Sequence, residues 1–222
     1  SFPTRRSSDL QNHTRRINHL NILGIGSALP DQVVTNHQLA EILDTSDEWI
    51  KTRTGISSRR VLGESGLTRL ALTAAQRALA DAGIQGSELD LILVATTMGD
   101  YVFPSTACLI QKDLGAACPA MDLHAACAGF VYALETADSF IKAGKARHVL
   151  VVGSEAITRL ANWEDRSTCV LFGDGAAAVV AGPGDALLAC HLTAQTDSQV
   201  LYMLAEPGNN PFTKKPEEAA SG

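Results

Sequence analysis

Asp122-Leu123-His124-Ala125-Ala126-Cys127-Ala128-Gly129-Phe130-Val131-Tyr132-Ala133-Leu134 decides how this chain is read. The apolar run ending near Leu123 predicts a strand. From Cys127 the apolar positions Phe130, Val131, Leu134, Ala137 and Ile141 recur at three- and four-residue steps, which predicts a helix buried on one face. Gly144 closes that helix as a C-terminal cap. Cys127 therefore falls where a strand turns into a helix, flanked by Ala125, Ala126, Ala128 and Gly129 with almost no side-chain bulk. A thiol at a strand end, near the positive end of a helix dipole, is favoured as thiolate. That is the logic of a nucleophile elbow with sulfur in place of a hydroxyl. Taken without context, the commoner use of a free cysteine is as a small buried hydrophobe.

Working outward, the segments on either side alternate between strand and helix. Residues 20–26 form a short strand ending in glycine, and Pro30 with Asp31 marks a turn. Asn36 is placed to cap a helix carrying Leu39, Ile42 and Leu43. Thr45 with Glu48 reads as a capping box opening a second short helix through Arg53. Residues 66–82 carry the clearest helical stripe, from Leu67 through Ala82, and Gly83 ends it. Leu91 to Ala95 is a continuous apolar run, as expected of a strand covered on both faces. Pro104 and Ser105 start a helix that Gly115 stops. After the Cys127 turn comes an apolar strand at 148–153. Residues 168–172 and 176–181 then read as two strands joined through Gly173-Asp174-Gly175, and 187–194 as one more. Strands alternating with helices predict an α/β fold with a mainly parallel sheet and helices on its faces. The closely spaced strands at the end predict an antiparallel edge.

Composition narrows the functional classes. The chain has 222 residues, 45% of them hydrophobic, enough for one domain with a substantial core. No apolar stretch approaches the length of a membrane span, and no apolar signal segment follows the N-terminal charges. Cysteines 108, 118, 127, 169 and 190 are odd in number and form no CxxC pair, so neither a disulfide framework nor a metal site is expected, and a cytoplasmic setting is. The net charge is −6, but residues 1–19 carry four arginines against one aspartate, a net of +3, leaving −9 for the remainder. Four arginines are too few for a nucleic-acid footprint. Residues 1–19 lack periodicity and read as a disordered or non-native leader. The domain is expected over 20–195, with 196–222 a loop-rich tail.

Ala126-Cys127-Ala128-Gly129-Phe130 and Phe172-Gly173-Asp174-Gly175-Ala176 resemble motifs of the β-ketoacyl-acyl carrier protein synthase III family of the thiolase fold. So do the stretch from Asp44-Thr45-Ser46-Asp47-Glu48-Trp49 to Ile56 and the word Phe103-Pro104-Ser105. The resemblance runs from about Asn21 to Asp185, in order. It implies a condensing acyltransferase of fatty acid synthesis. Cys127 takes an acyl group from an acyl-coenzyme A, and malonyl-acyl carrier protein then loses carbon dioxide to attack the resulting thioester. Coenzyme A enters as a substrate, so no resident cofactor is implied.

The same resemblance implies that Trp49 and Arg53 hold the adenine of coenzyme A and that Thr45 and Arg166 line the nucleotide end. It also implies that Phe103 reaches across a homodimer to floor the partner's acyl pocket. Read as residues alone, Trp49 and Arg53 share one helix face, where a half-buried tryptophan under a solvated arginine is the commoner arrangement. Arg166 alone is a surface arginine and Phe103 alone is core. The thiolase fold resembles two similar halves, and this chain corresponds to the first; the histidine and asparagine that complete a Cys-His-Asn site belong to the second. His124 and His191 match neither. Loss of the partner half is expected to expose strands 91–95 and 148–153. Phe172-Gly173-Asp174-Gly175 lacks the Lys-Ser/Thr ending of a phosphate loop and reads as a tight structural turn. Two other readings remain: a related synthase of hydroxymethylglutaryl-coenzyme A or polyketide-starter type, and a non-catalytic acyl- or coenzyme-A-binding fragment.

Overall fold

The computed structural model describes residues 19–63 and 65–195. The expected leader (1–19, all but its last residue) and tail (196–222) lie outside the described residues. The chain divides into a main unit to Cys190 and a second from His191, and in the latter residues 191–195 carry no regular element.

A five-stranded sheet organises the main unit, in the order β1-β7-β6-β4-β5. Its strands are β1 (His19–Ala28), β4 (Leu91–Ala95), β5 (Ala120–Leu123), β6 (Val149–Glu155) and β7 (Gly175–Gly184). β4 pairs in parallel with both β5 and β6, while β7 is antiparallel to β6 and to β1. Four strands thus point one way and only β7 is reversed, which makes the sheet mainly parallel. The reversed strand is not at the edge, as the sequence suggested, because β1 returns from the start of the chain to cover it. A separate two-stranded antiparallel sheet pairs β2 (Val33–Thr35) with β3 (Ser58–Arg60).

Side chains of β4 alternate between two apolar layers, and all five of its residues are buried. Ile92 and Val94 join Leu150, Val152, Ala178 and Val180 beneath α3 (Leu67–Ala82) and α4 (Thr106–Asp113). Leu91 and Leu93 join Val149 and Val151 beneath α5 (Gly129–Lys142), which supplies Ala133, Ala137 and Ile141. Strands 91–95 and 149–152 are therefore covered on both faces within this chain, contrary to the expectation that they would be exposed. The alanine stripe of α3 lets that helix lie directly on β1. A Cβ on Gly24 or Gly26 would run into the helix backbone at Ala78 and Ala74.

Two expected strands are absent. Over 168–172 the chain instead makes a 3₁₀ turn at Cys169–Leu171. Thr168 and Cys169 both donate their N–H to the Asp165 carbonyl, which winds the chain, and Cys169 and Val170 are buried against Leu39 and Ile50 while Leu171 and Phe172 are left exposed. Residues 187–194 form no strand. β1 begins at His19, opposite Gly184, so the chain beyond β7 has run past its partner. One further bond, from Leu187 N–H to the Leu20 carbonyl, is all that continues the pairing among the described residues.

Helix starts also differ in detail. α1 (Asn36–Ala40) is capped by Thr35, not Asn36, with Thr35 N–H donating in return to the Gln38 Oε1, and it ends before Ile42 and Leu43. Asn36 is fully buried and spends its side chain elsewhere. α2 (Asp47–Thr54) is capped by Ser46, whose hydroxyl accepts from Trp49 N–H at 3.1 Å, so the expected Thr45–Glu48 box does not form. The Thr45 hydroxyl is buried without a partner. α4 is capped by Ser105, and Gly115 follows it with a φ of 67°.

Candidate functional site

β5 ends at Leu123 on the outer edge of the sheet, and the chain then enters a 3₁₀ turn, Ala126–Ala128, before α5. Cys127 lies in that turn, two residues before α5 begins. It is exposed. The residue before it, Ala126, has a φ of 44°, the left-handed region that residues with a Cβ avoid. The tightness has a cause: Gly129 packs against the end of β4, where an added Cβ would come 3.2 Å from the Ala95 Cβ. The chain must therefore turn sharply between Leu123 and Gly129.

The start of α5 is electrostatically open. Its N-cap, Ala128, offers no side-chain acceptor, and its first turn holds no acidic residue. The start of α4 contrasts with it, since the Asp122 carboxylate accepts from Thr106 N–H and Ala107 N–H, both at 2.8 Å. Cys108 stands there with its N–H on the Ser105 hydroxyl and its Sγ 3.7 Å from the Ala120 carbonyl. Burial pushes the thiols of Cys118 and Cys169 up, and desolvation together with Glu135 does the same for Cys190. His124 is exposed on the strand side of the turn.

A second cluster forms around Trp49, which is half-buried on α2 while its neighbour Ile50 is fully buried. The Arg53 guanidinium lies over the Trp49 ring at 4.4 Å from the centroid, and that of Arg166 at 5.1 Å. Arg166 donates from Nη1 to the Asp44 carbonyl oxygen and pairs with the Asp44 carboxylate at 3.5 Å. Its loop is wound around Asp165, whose carboxylate accepts from the Ser167 N–H and hydroxyl and the Thr168 hydroxyl. Three of the expected residues, Trp49, Arg53 and Arg166, are thus brought together, with Thr45 just ahead of α2. Phe103 is not core: it is 83% exposed, amid the exposed Met98, Tyr101 and Val102. That segment is held ahead of Tyr101, by Thr97 N–H on the Glu155 carboxylate and by Asp100 at the start of α3.

Asp174 of the Gly-Asp-Gly turn was not singled out as an anchor by the sequence. It is buried and accepts from Leu62 N–H, Thr158 N–H and the Thr158 hydroxyl, so its carboxylate crosslinks the segment after β3 to the turn after β6. Its flanking glycines are the only signal in the sequence for a close approach. Among the described residues, no group of three or more His, Cys, Asp or Glu could hold a metal ion. No helix of the described residues is long and apolar enough to cross a membrane.

A family model described as 3-oxoacyl-[acyl-carrier-protein (ACP)] synthase III matches residues 121–198, which include the Cys127 turn. The β-ketoacyl-[acyl-carrier-protein] synthase III of Bordetella petrii is 54% identical over 198 residues, covering 85% of this chain and 60% of that protein. Among solved structures, the 3-oxoacyl-[acyl-carrier-protein] synthase III of Aquifex aeolicus superposes with a TM-score of 0.72 at 55% identity. That match covers 73% of this chain and 53% of the other. The chain belongs to the β-ketoacyl-acyl carrier protein synthase III family. Its fold is the first half of the thiolase-like fold of that family. It spans just over half the length of the synthase III relatives it matches. The priming β-ketosynthase of the R1128 polyketide pathway is also similar, with a TM-score of 0.72 at 40% identity, covering 76% of this chain and 51% of that one.

Proposed function

We propose that this chain carries the acyl-accepting half of a condensing enzyme that initiates fatty acid synthesis. The observation that carries the reading is Cys127, exposed in a strained turn of small residues at a helix start that no side chain caps. The Cys127 thiolate attacks the carbonyl carbon of an acyl-coenzyme A, and the C–S bond to coenzyme A breaks. The coenzyme thiolate leaves, takes up a proton, and the acyl group remains as a thioester on Cys127. The Cys127 backbone N–H, at the helix start, is one donor for the oxyanion of that step.

The nucleotide end of coenzyme A is assigned to Trp49, Arg53 and Arg166, with Thr45 alongside. A flat aromatic ring with two guanidinium groups suits an adenine carrying phosphates. In the second step malonyl-acyl carrier protein loses carbon dioxide. Its carbanion attacks the Cys127 thioester and the thiolate is released, leaving a 3-oxoacyl product on the carrier. The charge that builds during decarboxylation is assigned to a histidine and an asparagine of the family's second half. Phe103, on its exposed segment, is assigned to the acyl pocket of a second copy in a homodimer.

Similarity to a priming β-ketosynthase of a polyketide pathway supports a second reading, in which the same thiol primes a polyketide chain. Both readings require acylation of Cys127. The test is mass spectrometry of the chain after incubation with acetyl-coenzyme A: one acetyl group on the Cys127 peptide, absent in Cys127→Ser, is expected. Acetylation elsewhere, or none, would remove the proposal.

A further inference from the structure

Arg59, on β3, is 5% exposed, yet among the described residues no carboxylate lies within ion-pair distance of it. A buried guanidinium without a counter-ion is costly. What it does instead is gather three segments. Nη2 donates to the Asn36 Oδ1 at 2.8 Å and to the Val170 carbonyl at 3.3 Å, and Nη1 donates to the Val34 carbonyl at 3.3 Å. Asn36 passes the connection on, because its Nδ2 donates to the Asp47 carboxylate at 2.9 Å and to the Ile56 carbonyl at 2.7 Å. Asp47 opens α2, the helix of Trp49 and Arg53, and Ile56 follows that helix. Val170 lies in the turn directly after the Arg166 loop, which is wound onto it by the bonds from Thr168 and Cys169 to Asp165. The stem of Arg59 also packs on Gly173, where an added Cβ would come 3.2 Å from its own Cβ.

We infer that Arg59 is a positioning residue for the nucleotide end of coenzyme A, setting through Asn36 and Val170 the distance between Trp49 on α2 and Arg166 on its loop. This rests on the coenzyme reading above. Arg59 touches no substrate. Its planar fork holds two walls of the nucleotide site in register, a task that a lysine, with one ammonium on a flexible stem, does not perform.

The test uses the 222-residue chain and three measurements: the dissociation constant of adenosine 3′,5′-bisphosphate, the acetylation rate of Cys127 by S-acetyl-N-acetylcysteamine (a thioester with no nucleotide), and the thermal midpoint. Arg59→Met and Arg59→Lys are each expected to weaken nucleotide binding about tenfold, the scale of one disturbed cation–π contact. Both should leave the acetylation rate within about twofold. Should Arg59→Met fail to fold, Arg59→Lys, which retains the charge and the stem, carries the test alone. Unchanged affinity in both variants would overturn the inference, and so would full retention by lysine, which would make the effect one of charge alone. A parallel fall in affinity, acetylation and midpoint would make Arg59 merely structural. If the unaltered chain does not bind the nucleotide while Cys127 still acetylates, the coenzyme reading itself fails and takes this inference with it.

Discussion

Ala126 pays a backbone strain on the order of 1–2 kcal/mol for its φ of 44°, and the position it gains places the next residue, Cys127, in the open. Exposure alone does not separate Cys127 from Cys108, which is also exposed and also stands near a helix start. The difference is electrostatic. The N–H groups at the start of α4 are already taken by the Asp122 carboxylate, while the start of α5 has no acidic residue and no side-chain cap. Iodoacetamide is therefore expected to label Cys127 ahead of Cys108, with Cys118, Cys169 and Cys190 last because their thiols are pushed up. Timed peptide mapping that finds another cysteine labelled first would contradict this. At Trp49 the expectation is a loss of affinity. Trp49→Ala removes the ring that both guanidinium groups address and should weaken coenzyme A binding by about 0.5–2 kcal/mol, up to roughly thirtyfold, with the fold intact. Equal affinity by calorimetry would return Trp49 to a packing role.

At the scale of elements, the start of α3 is the clearest case of a cap supplied from a distance. Gly66 precedes the helix and has no side chain to cap it. The Asp100 carboxylate does so instead, accepting from Leu67 N–H, Thr68 N–H and the Thr68 hydroxyl, and pairing with Arg159 at 2.9 Å. Desolvation pushes the Asp100 carboxyl up, but the bonds from Thr68, Leu67 and Arg159 outweigh it and hold the group at about 2, below its ordinary 3.8. A carboxyl depressed in the folded state stabilises fully above its unfolded value and loses that contribution as pH falls from about 4 through about 2. After solvent screening the contribution is about 1–2 kcal/mol. Urea unfolding should thus show Asp100→Asn less stable by that amount at pH 7, with the gap closing as pH approaches 2. A gap independent of pH would mean that the charge of Asp100 is irrelevant. This cap also marks the limit of the sequence reading. Periodicity and glycine stops placed α3, β4 and the Cys127 turn, because each is written in neighbouring residues. Which residue capped α1 and α2 was missed by one position each, since Thr35 and Ser46 compete locally with Asn36 and Thr45. Distant partners left no local trace: Asp100 on α3, Arg166 on Trp49, and Asp174 on Leu62 and Thr158.

Over the whole molecule, the central strands β4 and β6 are covered on both faces within the chain, by α3 and α4 on one side and α5 on the other. The apolar surface left open lies elsewhere. Among the described residues it includes Ile22, Ile25 and Leu29 at β1 and the turn after it, Val131 on α5, Met98, Tyr101, Val102 and Phe103 ahead of α4, and Met121 on the outer strand β5. Apolar patches of this kind mark surfaces that other protein covers. The proposed function assigns one of them, the exposed segment of Phe103, to a second copy. Strand order was not legible in the sequence for a related reason. The chain gives no sign that β1 returns to cover β7, because that pairing joins its first described residues to its last strand. In the proposed function this chain holds the acyl acceptor, while the groups that drive decarboxylation belong to the family's second half. This division is tested most directly by incubating the purified chain with labelled acetyl-coenzyme A and malonyl-acyl carrier protein, and following labelled Cys127 and labelled 3-oxoacyl product separately. Label on Cys127 is expected, with product formation slower than in a two-half synthase by at least the roughly 10²–10³-fold lost with one oxyanion donor. Product formed at the two-half rate, or label carried by a residue other than Cys127, would contradict it.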